Sequence, residues 1–128
     1  MELPQENEKP VYVQLADWLE DEILAGTFAE GSRIPSVSDI SVSFKINHMT
    51  ALKTIGILTE AGIVYKKHGI GMFVAEGAAE KIRTERRNAF YNKYIVTASA
   101  EAKKLGIKLP ELIEMAERGY NDEQINGK

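Results

Sequence analysis

Between Pro35 and Gly62 the chain has room for two short helices, and single residues mark their limits. Ser36 opens the first, with Asp39 three residues on as a shorter version of a capping box and Ile40 and Phe44 as its buried side. The pattern breaks at Lys45 and Ile46. Asn47, whose side-chain oxygen suits a helix start, opens the second, with Ala51, Ile55 and Leu58 on the inner face, and Gly62 ends it. Two short helices across a tight turn, the second preceded by a capping residue, have the spacing of a helix-turn-helix.

The neighbouring segments complete that motif. Upstream, Tyr12, Leu15, Ala16, Leu19 and Ile23 recur at three- and four-residue steps, which predicts a helix from Pro10 to a left-handed cap at Gly26. Residues 27–35 lack periodicity and are read as a loop. Downstream, the β-prone residues 63–67 and 72–75 flank the glycine-bearing turn His68, Gly69, Ile70, Gly71, a hairpin that forms a wing. Trp18, Phe44 and Tyr65 are expected in the core.

Residues 78–104 carry Ile82, Ala89, Phe90, Tyr94, Val96 and Ala100 among many charges, one long helix whose apolar stripe needs a partner surface. Gly106 stops it. Pro110 suits the first turn of a further helix, with Leu112, Ile113, Met115 and Ala116 on one side before Gly119. The expected fold is mainly α with a small β-hairpin: a flexible arm over residues 1–9, a winged helix-turn-helix domain over 10–76, a two-helix dimerisation segment over 77–120 and a frayed tail over 121–128. Ile82, Ala89, Phe90, Tyr94, Leu112 and Ile113 are the candidate dimer contacts.

Charge placement points to a polyanion despite a net charge of −3. Residues 1–30 hold one basic side chain against eight acidic ones, residues 31–75 five against two, and residues 76–128 ten against nine. The locally positive segment contains Arg33, Lys45, Lys53, Lys66 and Lys67 and coincides with the helix-turn-helix and wing, where phosphate attraction would act. No apolar run approaches the roughly 18 residues of a membrane span. With no cysteine and an acidic, proline-bearing start, the chain is expected in the cytoplasm and away from membranes.

The segments PVYVQLADWLEDEILAGTF, GSRIPSVSDIS and INHMTALKTIGILTEAGIVYKKHGIGMFV together resemble the GntR family of winged helix-turn-helix regulators over residues 10–75. The resemblance rests on Pro-x-Tyr-x-Gln-Leu, the Gly26 and Gly31 pair, Ile34-Pro35-Ser36, Thr50, Leu58 with Ala61-Gly62, and the closing Gly-x-Gly-x-Phe-Val. The short two-helix tail is similar to the YtrA subfamily, which implies a homodimer built through the tail and regulation of transporter genes. Three positions depart from the family pattern: Ser38 where most members have Arg, His48 where many have a basic residue, and Leu52 where a polar residue is common. Lys45 also stands in place of the turn glycine.

These residues define the expected DNA interface. Asn47, His48, Met49 and Lys53 would reach base edges in the major groove, and Leu52 either meets a thymine methyl or packs inward. Thr50, Ser36, Ser38, Arg33 and Lys67 would hold phosphate or position the fold, while His68, Gly69 and Gly71 bring the wing close to the minor groove. The expected function is a repressor of a palindromic double-stranded operator, with a small-molecule effector left open as a further partner. Neither histidine has a second His, Cys or carboxylate at ligand spacing, and no nucleophile and base are paired, so no metal, cofactor or enzyme activity is expected. The alternative is a protein-docking winged helix, which would expose an apolar patch on the third helix; Met49 and Leu52 are its only hints.

Overall fold

The computed structural model describes residues 9–122, which divide into two compact units, one ending at Glu85 and one beginning at Arg86. The arm expected over 1–9 and the tail over 121–128 lie outside the described residues except for Lys9, Asn121 and Asp122.

In the first unit, α1 (Val11–Ala25) buries Leu15, Ala16, Leu19 and Ile23 and ends at Gly26, whose φ of 87° only a residue without a β-carbon adopts cheaply. Helix α2 (Val37–Phe44) starts with the reciprocal capping box foreseen in the sequence: Asp39 N–H donates to Ser36 Oγ at 3.0 Å and Ser36 N–H to Asp39 Oδ2 at 3.2 Å. Lys45 ends it at φ 55°, ψ 51°, a left-handed conformation that costs a residue with a β-carbon on the order of 1 kcal/mol. The Ser41 hydroxyl helps hold this turn, donating to the Ile46 carbonyl at 2.8 Å. Asn47 Oδ1 then accepts from Met49 N–H at 2.7 Å and opens α3 (His48–Glu60).

Helix α3 turns Ala51, Thr54, Ile55 and Leu58 inward. Thr54 is the unexpected member. Its hydroxyl, fully buried, sits 3.1 Å from both the Thr50 carbonyl one turn back and the Tyr12 carbonyl of α1, so a buried polar group is satisfied while two helices are tied together. Strands β1 (Val64–Lys67) and β2 (Gly71–Val74) form an antiparallel hairpin in which Val64 pairs with Val74, Tyr65 with Phe73, Lys66 with Met72 and Lys67 with Gly71. Val64 and Val74 are buried at its base.

Part of the expected loop over 27–35 runs beside β2, joined to it by backbone hydrogen bonds and one isolated antiparallel bridge. Gly31 N–H donates to the Val74 carbonyl, Val74 N–H to Ser32, and Ile34 N–H to Met72, with Arg33 bridged to Phe73. So few residues carry no alternating pattern, which is why the segment reads as a loop. Leu15, Leu19, Ile34, Ile40, Leu58 and Val74 share one core, flanked by Trp18 packed edge-on against Phe28 at 6.0 Å and Phe44 at 5.1 Å. Tyr65 does not join it; it lies 39 % exposed on the hairpin, beside Phe73, because its strand position alternates away from buried Val64.

Helix α4 (Ala78–Phe90) begins inside this unit. Glu30, from the segment after α1, accepts Gly77 N–H at 2.9 Å and Ala79 N–H at 3.2 Å, one on each carboxylate oxygen, and so caps α4 from a distance. Lys81 donates to the Ala61 carbonyl at 3.2 Å. Ala78 and Ile82 are buried in the same core, Ile82 to 2 % exposure. Ile82 is therefore a core residue and not a candidate dimer contact, and the first unit extends past the boundary expected at residue 76.

In the second unit the helix is continuous, but five residues, Tyr91–Ile95, take the wider π-helical turn before α5 (Val96–Lys104). Gly106 takes φ 75° after α5, and α6 (Leu109–Asn121) follows with Pro110 in its first turn. Ala102 is buried, whereas Phe90, Tyr94, Leu109 and Ile113 remain exposed.

Candidate nucleic-acid interface

The outward face of α3 is set by its inward one. With positions 51, 54, 55 and 58 buried, positions 48, 49, 52 and 53 face solvent: His48, Met49 at 60 % exposure, Leu52 at 46 %, and Lys53. The question left open for Leu52 is thereby resolved toward solvent. Thr50 is half-buried at the edge of that face.

Several expected contact groups already have partners. Asn47 uses Oδ1 as the α3 cap, leaving its Nδ2 amide as the group facing outward chemistry. The Lys53 ammonium lies 5.0 Å from the centre of the Tyr12 ring, a cation–π placement that draws it back along α1. Ser36 is engaged in its capping box and half-buried, while Ser38 is exposed on the first turn of α2.

On the hairpin, Lys67 lies over Phe73 at 4.4 Å and near Tyr65 at 6.0 Å, so its charge is held against the sheet. His68 and Gly69 form the exposed tip, and Gly69 has φ 78° with nothing near the place of a β-carbon. Gly71 differs. At φ 148° a β-carbon there would stand 2.7 Å from Arg33 Nε, so the missing side chain makes room for this guanidinium, where the sequence suggested room for DNA.

These elements surround an apolar groove of about 560 Å³, lined by Val37 of α2, Leu52, Ile55 and Gly56 of α3, and Lys66 and Met72 of the hairpin. Nothing in the local sequence pattern announces it, because it forms only where three elements meet. The cations Arg33, Lys45, Lys53, Lys66 and Lys67 all belong to the first unit, with Asp39 and Glu60 the only acids from residue 31 to 75.

The expected tail contacts other than Ile82 sit on the second unit. Ala89, Phe90, Tyr94 and Ile113 are exposed and Leu112 is half-buried; the Phe90 and Tyr94 rings lie 5.4 Å apart. Among the described residues no cluster of three or more His, Cys, Asp or Glu could hold a metal ion, and no helix is long and apolar enough to cross a membrane.

Residues 11–74 match the model of the bacterial regulatory proteins of the gntR family. The helix-turn-helix type transcriptional regulator YhcF of Bacillus subtilis (strain 168), itself uncharacterized, is 28 % identical over 109 residues, 85 % of this chain and 88 % of that protein. The histidine utilization repressor of Klebsiella aerogenes is 27 % identical over 85 residues, 66 % of this chain but 35 % of that longer protein. Among solved structures, a GntR-family regulator from Bacteroides thetaiotaomicron superposes with a TM-score of 0.72 at 32 % identity, covering 87 % of this chain and 96 % of that one. The DNA-binding domain of AraR, solved in complex with its operator ORE1, superposes with a TM-score of 0.51 at 28 % identity over 59 % of this chain and 94 % of that one. With family match, helix-turn-helix and wing falling on the same residues, this chain belongs to the GntR family of bacterial transcriptional regulators, which bind DNA through a winged helix.

Proposed function

We propose that the chain represses transcription as a homodimer on a palindromic operator, the two copies of α3 lying about one turn of DNA apart. The observation that carries this reading is the union, in one short chain, of a winged helix-turn-helix with a tail whose Phe90, Tyr94 and Ile113 face solvent. A helix with that much exposed apolar surface gains its stability from a facing partner, and a second copy offers the matching face. The DNA-binding part is then residues 10–85 and the dimerising part residues 86–120, in which exposed Ala89 and half-buried Leu112 accompany Phe90, Tyr94 and Ile113.

Repression by occupancy is supported by the likeness to the histidine utilization repressor, and binding to operator DNA by the likeness to the AraR operator complexes. In this reading His48 and the Asn47 amide face base edges, Thr50, Ser38, Arg33 and Lys67 face phosphates, and His68 with Gly69 enters the minor groove. We read the two-helix segment α5–α6 as YtrA-like, with transporter genes as the regulated targets.

The test is recovery of genomic fragments by the purified protein at about 150 mM salt, followed by titration of the enriched site. A palindrome bound at least roughly a thousandfold more tightly than scrambled DNA is expected. Weak, equal and salt-sensitive binding to every duplex would overturn the proposal.

A further inference from the structure

A helix in the major groove tells base pairs apart in two ways, by hydrogen bonds to their edges and by apolar contact with the C5-methyl of thymine. On α3 the first resource is thin. There is no arginine between His48 and Glu60, Asn47 Oδ1 is committed to Met49 N–H, and the Lys53 ammonium sits over Tyr12. The second resource is ample. Met49 and Leu52, three residues apart and so on one face of the helix, are the exposed apolar side chains of its first two turns. Gly56, one turn further on, has open space where a side chain would stand, so the stripe runs clear into the apolar groove beside Leu52.

The geometry points to Met49 and Leu52 as readers of thymine methyl groups, so that each half-site is specified chiefly by where its T·A pairs fall. The inference rests on the proposed docking of α3 in the major groove. It accounts for two large apolar side chains placed side by side in water on a helix whose neighbours supply positive charge: a purely apolar partner would gain nothing from those cations, whereas a duplex presents methyl groups in the groove and phosphates on either side.

The experiment removes the methyl and nothing else. Duplexes selected by the full chain from a random-sequence pool are resynthesised with deoxyuridine replacing thymidine at one position of each half-site at a time, and affinities are measured for the unaltered protein, Leu52→Ala and Met49→Ala. At one or two positions deoxyuridine should weaken binding by about fourfold per methyl lost. At those positions it should cost the matching alanine variant nothing further, because the contact is already gone. Deoxyuridine without effect anywhere on a duplex still bound selectively would overturn the inference while leaving DNA binding intact, and would assign the stripe to a protein surface. A deoxyuridine penalty that survives undiminished in both variants would overturn the assignment to these residues. Failure to select any duplex would remove the docking of α3 and this inference together.

Discussion

Arg33 occupies the space that a side chain at Gly71 would need: a β-carbon there would come within 2.7 Å of Arg33 Nε and 3.2 Å of Cζ. The bridge between Arg33 and Phe73 brings the two segments together, and the glycine lets the guanidinium lie across the hairpin edge. Gly71 thereby serves a cation from a segment that precedes the helix-turn-helix.

Gly71→Ala should consequently do two things, strain a backbone at φ 148° and dislodge Arg33. The expected destabilisation is roughly 1 to 3 kcal/mol, with weaker DNA binding at low salt. Gly69→Ala, at φ 78° in open space, should cost only about 1 kcal/mol and leave the salt dependence of binding unchanged. Thermal unfolding with binding titrations at two salt concentrations separates them; equal effects of both variants on the salt dependence would exclude a special role for Arg33.

Glu30 links stability to pH. Hydrogen bonds from Gly77 and Ala79 N–H hold its carboxyl below the usual carboxylate range against the opposing effect of desolvation, with the charge of Arg83 a lesser aid. A lowered folded-state pKa means the contribution is present above the ordinary carboxylate pKa and is lost as pH falls through the folded value. Glu30→Gln should melt below the unaltered protein at neutral pH, and the gap should close in acid. A gap independent of pH would mean that the charge at the start of α4 does not matter.

Ile82 and Phe90 lie on the same helix, α4, but in different roles. Ile82→Ala, which empties a core position, should cost roughly 2 to 5 kcal/mol of stability. Phe90→Asp should leave the unfolding of the first unit nearly unchanged and yield a monomer by sedimentation at micromolar concentration, with operator affinity falling accordingly. A Phe90→Asp protein that remains dimeric would move the interface elsewhere on the tail.

Thr50 and His48 separate positioning from reading. Thr50→Ala should weaken binding to all sequences alike, while His48→Ala should lose roughly 1 to 3 kcal/mol at particular base pairs. Titration against a panel of single-substitution operators measures both. An unchanged base preference in His48→Ala would end its role as a reader.

Interactions that close within about one helical turn could be read directly from the residues. The Ser36 and Asp39 box, the Asn47 cap, the stop at Gly26 and the hairpin were all legible, since each interaction closes within a few residues and constrains the backbone locally. The outward face of α3 followed from periodicity, which is why His48, Met49 and Lys53 stand exposed where expected. Contacts between distant segments emerge only in the folded chain: Thr54 with Tyr12 across 42 residues, Glu30 with Gly77 across 47, Arg33 with Gly71, and the burial of Ile82 on a helix otherwise read as tail. An apolar residue at helical spacing shows that some surface must cover it. Which surface does so depends on chain closure over tens of residues, and the helix carrying Ile82 has the same 3.6-residue period whether the cover is its own core or a second copy.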